Sequence, residues 1–320
     1  MRRRTVLGTI AAVAGAAVAR TTGHARQDAG ATATTEGTSV TETATTTEKT
    51  GYAPVNGLDM FYEIHGDDAA GGQADAPPLV LLHGAYGMGG MFAAFVPGLA
   101  ATRRVIVPDL QAHGRTADID RPIRYETMAD DVAALLDHLG VEQADVFGYS
   151  MGGGIASRLA MQHPDRVRKL VVAGASFTSG GMYPELLAMI DLQTPEMFAE
   201  APFYAEYREI APDPDAFPAL VEKVKELIGR PYAWPEDEVR AIPAPTLLIY
   251  GDADVILPEH MIELFRLRGG GVAGDLVGLP PAQLAILPGT THVGVMERAA
   301  WLLPMVEEFL AAPIPAAARG

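Results

Sequence analysis

The chain contains no cysteine. This excludes disulfide scaffolds, thiolate metal sites, iron–sulfur clusters, cysteine nucleophiles and lipid anchoring through a cysteine. Basic residues are also few: Lys+Arg is 24 against Asp+Glu 40, a formal net charge of −16. Nucleic acid is therefore not expected as a partner, because such partners are held by Lys and Arg on phosphates. Outside the extreme N-terminus, no apolar run reaches the about 18–20 residues of a membrane-spanning helix. Stable membrane insertion of the mature chain is not expected. No two histidines have a zinc-site spacing, and no Gly-rich stretch has the form of a P-loop or a dinucleotide fingerprint. Neither a metal nor a cofactor is expected. The composition is that of a globular protein with a sizeable core, at 48% hydrophobic and 20% charged.

The first residues read as an address. Arg2-Arg3-Arg4 precedes Thr5-Val6-Leu7 and an Ala/Gly/Val-rich stretch to Ala19. A charged start before a short apolar run is the plan of a secretory signal, and Arg3-Arg4 resembles a twin-arginine export motif. We assign residues 1–25 to this signal, with cleavage after Ala17-Val18-Ala19 or after Gly23-His24-Ala25; an apolar stretch retained uncleaved as an anchor is the alternative. The twin-arginine export machinery is then a partner, and the mature protein is periplasmic or extracellular. Cleavage after Ala25 removes Arg2, Arg3, Arg4 and Arg20 and takes the charge from −16 to −20. Residues 26–50 are mostly Thr, Ala, Gly and Glu, with Val40 as the one large aliphatic side chain. Such a stretch cannot bury enough apolar surface to offset chain entropy, and it is expected to be a disordered tether.

From Gly51 short apolar runs alternate with helical patterns. Leu58–Ile64 is strand-like. Pro78–Leu82, Arg104–Asp109, Ala144–Gly148, Lys169–Ala173, Thr246–Tyr250 and Gln283–Leu287 are bounded by Gly, Pro or Asp, as strands buried on both faces are. Helical spacing runs over Tyr125–Leu139, Met151–Gln162, Glu259–Leu267 and Ala299–Leu310. This alternation predicts an α/β fold with a doubly wound, mostly parallel sheet. The core is expected over residues 51–176 and 241–312, with residues 313–320 a flexible tail. Residues 177–240 interrupt the alternation with a helical stretch rich in Pro, Met, Tyr and Phe. Gly269–Pro281 is a Gly-rich loop.

Gly148-Tyr149-Ser150-Met151-Gly152 is a G-x-S-x-G where a predicted strand passes into a predicted helix. A sharp turn there leaves no room for side chains at the flanking positions. It lifts the Ser150 hydroxyl clear of the sheet, at the positive end of the helix. Gly152-Gly153-Gly154 suits close helix–sheet packing rather than phosphate binding.

With these residues in place, the chain resembles the α/β-hydrolase fold family, in its lid-bearing, serine-nucleophile esterase/lactonase/haloperoxidase-like group. The resemblance covers about Gly51 to Ala312 and has several independent anchors. His83-Gly84 closes a strand. Pro108-Asp109-Leu110-Gln111-Ala112-His113-Gly114-Arg115-Thr116 is similar to the family's P-D-x-x-G-x-G-x-S loop, with Ala112 in place of Gly and Thr116 in place of Ser. Gly251-Asp252-Ala253-Asp254 follows one strand and Pro288-Gly289-Thr290-Thr291-His292 follows the last. The order Ser150, Asp254, His292 is the family's.

The resemblance implies a helical lid over residues 177–240, ahead of the acid-bearing strand, and a triad. His292 takes the Ser150 proton as the hydroxyl attacks, and Asp254 holds the imidazole tautomer. Asp252 is the competing acid, less favoured because the pattern places the acid fourth in G-x-x-D. The backbone N–H groups of Ala85 and Met151 are the expected oxyanion donors. Tyr86, Met88 and Tyr149 are expected to line the substrate pocket, whereas most lid aromatics are expected to pack the lid onto the core. His83 and His113 are expected to hold loops, and His65, His138, His163 and His260 have no partner pattern. A serine at the elbow implies acyl transfer to water. The expected activity is hydrolysis of carboxylic esters, on a small-molecule ester or lactone substrate. Two alternatives share the fold: an enol-lactone or C–C-bond hydrolase or cofactor-free haloperoxidase, and a ligand-binding receptor with slow or no turnover.

Overall fold

A computed structural model describes residues 49–66 and 76–314. The signal assigned to residues 1–25 lies outside the described residues, as do all of the tether but its last two residues and all of the tail but its first two.

Eight strands form one sheet: β1 Lys49–Val55, β2 Leu58–His65, β3 Leu79–Leu82, β4 Val105–Pro108, β5 Ala144–Tyr149, β6 Val167–Ala173, β7 Thr246–Ala253 and β8 Ala282–Thr291. Their order is β1-β2-β4-β3-β5-β6-β7-β8. Pairing is parallel from β4 through β8, and β2 runs antiparallel to both its neighbours. The seven strands from β2 on coincide with the apolar runs of the sequence.

β1 carries no clear mark in the sequence, because its alternation is weak and its start falls in the Thr-rich stretch. Asn56 and Gly57 both have positive φ, 48° and 88°. They form the two-residue turn that a right-twisted hairpin favours, and an Asn-Gly pair is its strongest local signal.

The parallel strands β3 to β7 are buried on both faces, as their continuous apolar runs require, whereas β8 lies at the sheet edge and leaves Gln283 and Ile286 exposed, contrary to the expectation for that run. Leu79, Leu81, Phe147 and Val171 face one core layer, with Phe92, Phe95 and Phe309. Val80, Leu82, Val146 and Leu170 face the other, with Ile155, Leu159 and Leu136. Beneath β5, Asp145 is fully buried and receives Arg103 at 3.0 Å and both arms of Arg168 at 2.8 and 2.5 Å. The neighbouring Lys169 ammonium donates to the carbonyls of Phe309 and Leu310, at 2.7 and 3.1 Å. A cation on the last carbonyls of the Ala299–Ala311 helix satisfies groups that have no partner within the helix.

Between β6 and β7 the chain runs through three helices, Pro184–Asp191, Pro202–Ile210 and Phe217–Gly229, each with proline in its first turn. A fourth, Glu236–Ala241, packs on the Met151–Gln162 and Pro258–Leu267 helices. It belongs to the core layer, although it falls almost wholly within residues 177–240. The Gly269–Pro281 loop carries a one-turn helix, Gly274–Val277, and exposes Leu276 and Leu279.

Candidate active site

β5 delivers Ser150 to the carboxyl end of the sheet. Its φ is 54° and its ψ −118°, a left-handed conformation for a residue with a Cβ. Such strain costs about 1–3 kcal/mol and persists only where the surroundings enforce it. Here they do: the Ser150 N–H donates to the Ala173 carbonyl at 2.8 Å and its carbonyl accepts from Gly154 at 3.1 Å. A Cβ on Gly148 would overlap the Gly152 carbonyl, and one on Gly152 would overlap the Leu82 carbonyl. Both glycines of the pentapeptide are thus dictated by contact.

The three chain-distant residues meet. His292 Nε2 lies 3.0 Å from Ser150 Oγ, and His292 Nδ1 lies 2.8 Å from Asp254 Oδ1. Asp254 is buried at the end of β7 and accepts the N–H groups of Val255 at 2.7 Å and Gly251 at 3.2 Å. With its carboxylate acting as acceptor, the imidazole proton sits on Nδ1, and Nε2 is free to accept from Ser150. Asp252 points elsewhere. It is exposed and accepts the Thr290 N–H at 3.0 Å, and backbone donors at Gly289 and Thr290 hold its carboxyl below the usual range. Asp252 shapes the loop that carries His292.

Ala85 and Met151 both line the cleft above Ser150. Neither N–H has a protein acceptor among the described residues. The Met151 N–H is the first of the Met151–Gln162 helix, so the helix dipole adds positive potential there. Tyr149 also lines the cleft. Its hydroxyl donates to the His292 carbonyl at 3.1 Å, and its ring lies 5.2 Å from the imidazole. It therefore steadies the histidine as well as walling the site.

Tyr86 lines the cleft with φ 61°. Met88 does not: it is buried in the apolar core, and Met91 faces the cleft. The cause is the turn at Ala85-Tyr86, closed by the Gly87 N–H on the Gly84 carbonyl at 3.1 Å. The chain leaves it extended at Met88 and enters the Gly89–Phe92 helical turn, which brings Met91 over the site.

His83 is buried, with Nε2 accepting the Leu110 N–H at 3.0 Å and Nδ1 donating to the Gly84 carbonyl at 2.9 Å. Burial pushes its imidazole down to about 4. The His113 ring lies 5.0 Å away, tilted at 53°, and is pushed to about 3 by burial, with the neighbouring His83 adding to it. Both rings tie the loops behind the site. The loop after β4 is held by Asp109, which accepts from Gly89 and Arg115, each at 2.8 Å. Ala112, where the resemblance leads one to expect Gly, adopts φ 67°.

The cleft holds about 810 Å³ of empty space when counted out through its open mouth into solvent. Its lining contains no Asp, Glu, Lys or Arg. Met182, Leu186, Ile190 and Ile228 supply apolar wall from the helical insertion, and Tyr125, Ser176, Tyr232 and Gln193 supply polar atoms. Phe198, Phe203, Tyr207 and Phe217 are buried against one another and do not line the cleft. The polar four carried no local signal in the sequence, because they reach the site from separate segments. Among the described residues, no group of three His, Asp or Glu stands together as a metal site.

A family model described as the alpha/beta hydrolase fold matches residues 77–223. A 2-hydroxymuconate semialdehyde hydrolase from Pseudomonas sp. (strain CF600) is 32% identical over 256 residues, covering 73% of this chain and 87% of that protein. A pimeloyl-[acyl-carrier protein] methyl ester esterase from Neisseria meningitidis is 28% identical over 250 residues, covering 72% and 91%. The crystal structure of an enol-lactonase from Burkholderia xenovorans LB400 matches with a TM-score of 0.62 at 24% identity, covering 82% of this chain and all of that one. Sheet order, strand-to-helix serine turn and these matches agree: the chain belongs to the α/β-hydrolase fold family and is a hydrolase.

Proposed function

We propose that the protein hydrolyses uncharged carboxylic esters through an acyl-enzyme on Ser150. The observation that carries this reading is the Ser150–His292–Asp254 chain of hydrogen bonds at the base of a cleft with no charged lining residue. Ser150 Oγ attacks the ester carbonyl while His292 Nε2 takes its proton. The oxyanion is stabilised by the N–H groups of Ala85 and Met151; one such donor is worth about 3–4 kcal/mol of barrier. Collapse expels the alcohol, which takes the proton from His292. Water then attacks the acyl-serine by the same route, delivering its proton to His292, and the acid leaves as Ser150 is restored. Asp254 stabilises the transient imidazolium throughout.

A second reading has the same triad cleave a C–C bond or an enol-lactone, and the similarity to a muconate semialdehyde hydrolase favours it. A muconate is a carboxylate. Burying one in this cleft without a cation costs several kcal/mol. The uncharged lining therefore favours the neutral ester. The test is to compare p-nitrophenyl butyrate with p-nitrophenyl hydrogen succinate, and both with a 2-hydroxy-6-oxodienoate. The neutral ester should lead in kcat/KM by about 100-fold, or about 2.7 kcal/mol at 1.36 kcal/mol per decade. Preference for either carboxylate substrate contradicts the reading.

We also propose that the protein is exported by the twin-arginine route, on the strength of Arg3-Arg4, the apolar stretch after them and the small residues at Ala17 and Ala19. Among the described residues, no helix is long and apolar enough to cross a membrane. Replacing Arg3 and Arg4 by Lys should retain the protein in the cytoplasm, as read by fractionation; unchanged export would contradict the proposal.

A further inference from the structure

One amide in the cleft has a donor left over. Gln193 follows the Pro184–Asp191 helix, and its backbone N–H donates to the Ile190 carbonyl at 3.1 Å. The residue is only 5% exposed, yet it lines the cleft. Its Oε1 accepts the Tyr86 hydroxyl at 2.8 Å. Its Nε2 has no acceptor among the described residues, and it is not sealed in the interior.

The orientation of this amide follows from its partner. Tyr86 is held by its own φ of 61° and by aromatic contacts to Phe198 at 4.9 Å and Phe203 at 5.9 Å between centroids. Were Tyr86 to accept from Nε2 instead, the phenol proton would be left without an acceptor in an apolar setting. Oε1 therefore faces Tyr86, and Nε2 is the arm presented to the cleft. Two of the other polar groups there are partly spent: Ser176 donates to the Thr178 carbonyl at 2.8 Å, and the Tyr232 hydroxyl lies 3.2 Å from Ser176 Oγ.

A substrate that fills the cleft displaces water from Nε2. If it brings no acceptor, the amide is left unpaired, and that penalty discriminates more sharply than apolar contact does. We propose that Gln193 is a specificity-determining residue that selects esters bearing a second acceptor oxygen, such as a ketone, ether or further ester carbonyl, apart from the scissile one. This rests on the ester-hydrolase reading above.

The test uses isosteric pairs on the acyl side, p-nitrophenyl 4-oxopentanoate with 4-methylpentanoate and 5-oxohexanoate with 5-methylhexanoate. On the alcohol side it uses 4-oxopentyl with 4-methylpentyl acetate. The readout is the oxo-over-methyl ratio of kcat/KM, from which intrinsic ester reactivity cancels between enzymes. Gln193→Glu keeps an oxygen for Tyr86 but replaces the free N–H with a second oxygen. Gln193→Leu removes both. In at least one pair the ratio should fall about tenfold in each variant, the worth of one neutral hydrogen bond. An unchanged ratio in every pair overturns the proposal. Dissociation constants for the same pairs, titrated into Ser150→Ala with and without Gln193→Glu, separate the two readings. A tenfold fall there without wild-type turnover supports the Gln193 site and contradicts ester hydrolysis. Turnover with unmoved ratios contradicts the site and leaves ester hydrolysis standing.

Discussion

Replacing Asp254 by Asn should lower kcat/KM for p-nitrophenyl butyrate by about 10⁴, whereas Asp252→Asn should lower it by less than about threefold. The two residues are separated by one alanine and differ in what they accept. Asp254 accepts hydrogen bonds from the imidazole Nδ1–H at 2.8 Å and from the backbone N–H groups of Val255 and Gly251 at 2.7 and 3.2 Å. An asparagine cannot meet all three. With its oxygen toward His292, its NH₂ faces the Gly251 N–H, donor against donor. With its NH₂ toward His292, the imidazole must carry its proton on Nε2 and can no longer accept from Ser150. Either way the negative charge that stabilises the imidazolium is gone. A loss of about 10⁴ corresponds to about 5.4 kcal/mol of transition-state stabilisation at 1.36 kcal/mol per decade. Asp252 instead faces only backbone donors, the Thr290 N–H of the loop that carries His292 at 3.0 Å among them, which an Asn oxygen also accepts. The assay is initial-rate hydrolysis, with thermal unfolding followed in parallel to show that both variants are folded. A larger loss in Asp252→Asn than in Asp254→Asn would refute the assignment and move the acid to Asp252.

Other outcomes follow from the same geometry. Tyr149→Phe removes the 3.1 Å bond to the His292 carbonyl; it should cost about 1 kcal/mol of stability in urea titrations and lower kcat more than it raises KM. Asp145→Ala leaves Arg103 and Arg168 facing each other without their carboxylate; the cost should be about 3–5 kcal/mol by denaturant unfolding, and a loss under 1 kcal/mol would contradict it. His83 and His113 are held neutral by burial, near 4 and 3 against an ordinary 6.5, so only the unfolded chain takes up their protons as pH falls below 6.5. Between pH 6.5 and 5 these two histidines together should make the unfolding free energy fall by up to about 2.7 kcal/mol per unit, and His113→Gln should make that fall shallower by up to about 1.4 kcal/mol per unit; an unchanged slope in the variant would contradict it.

The sequence carried the fold where burial left a simple mark. The central parallel strands lie between two core layers, so Leu79–Leu82 and Ala144–Gly148 appear as unbroken apolar runs. The serine turn was legible because its sterics admit only glycine at positions 148 and 152. β1 left a weaker mark, since its alternation is polar and only Asn56-Gly57 announces the hairpin.

Side-chain direction in loops was less legible. Met88 and Met91 have equal claims by composition, and the turn set by the positive φ at Tyr86 decides between them. Gln193, Ser176 and Tyr232 reach the cleft from segments whose relative placement is a matter of tertiary packing, which one-dimensional periodicity does not encode. The aromatic residues of the insertion conform to the simpler expectation: Phe198, Phe203 and Phe217 pack on one another and behind Tyr86 rather than lining the cleft themselves.

The central claim is that Ser150 is an activated nucleophile. Its most direct test is covalent labelling of the folded protein by a fluorophosphonate, located by peptide mass, with Ser150→Ala and His292→Ala alongside. The account predicts stoichiometric labelling on the peptide containing Ser150, none in Ser150→Ala, and a rate reduced by orders of magnitude in His292→Ala. Labelling on another serine, or none in a protein shown to be folded, would contradict it.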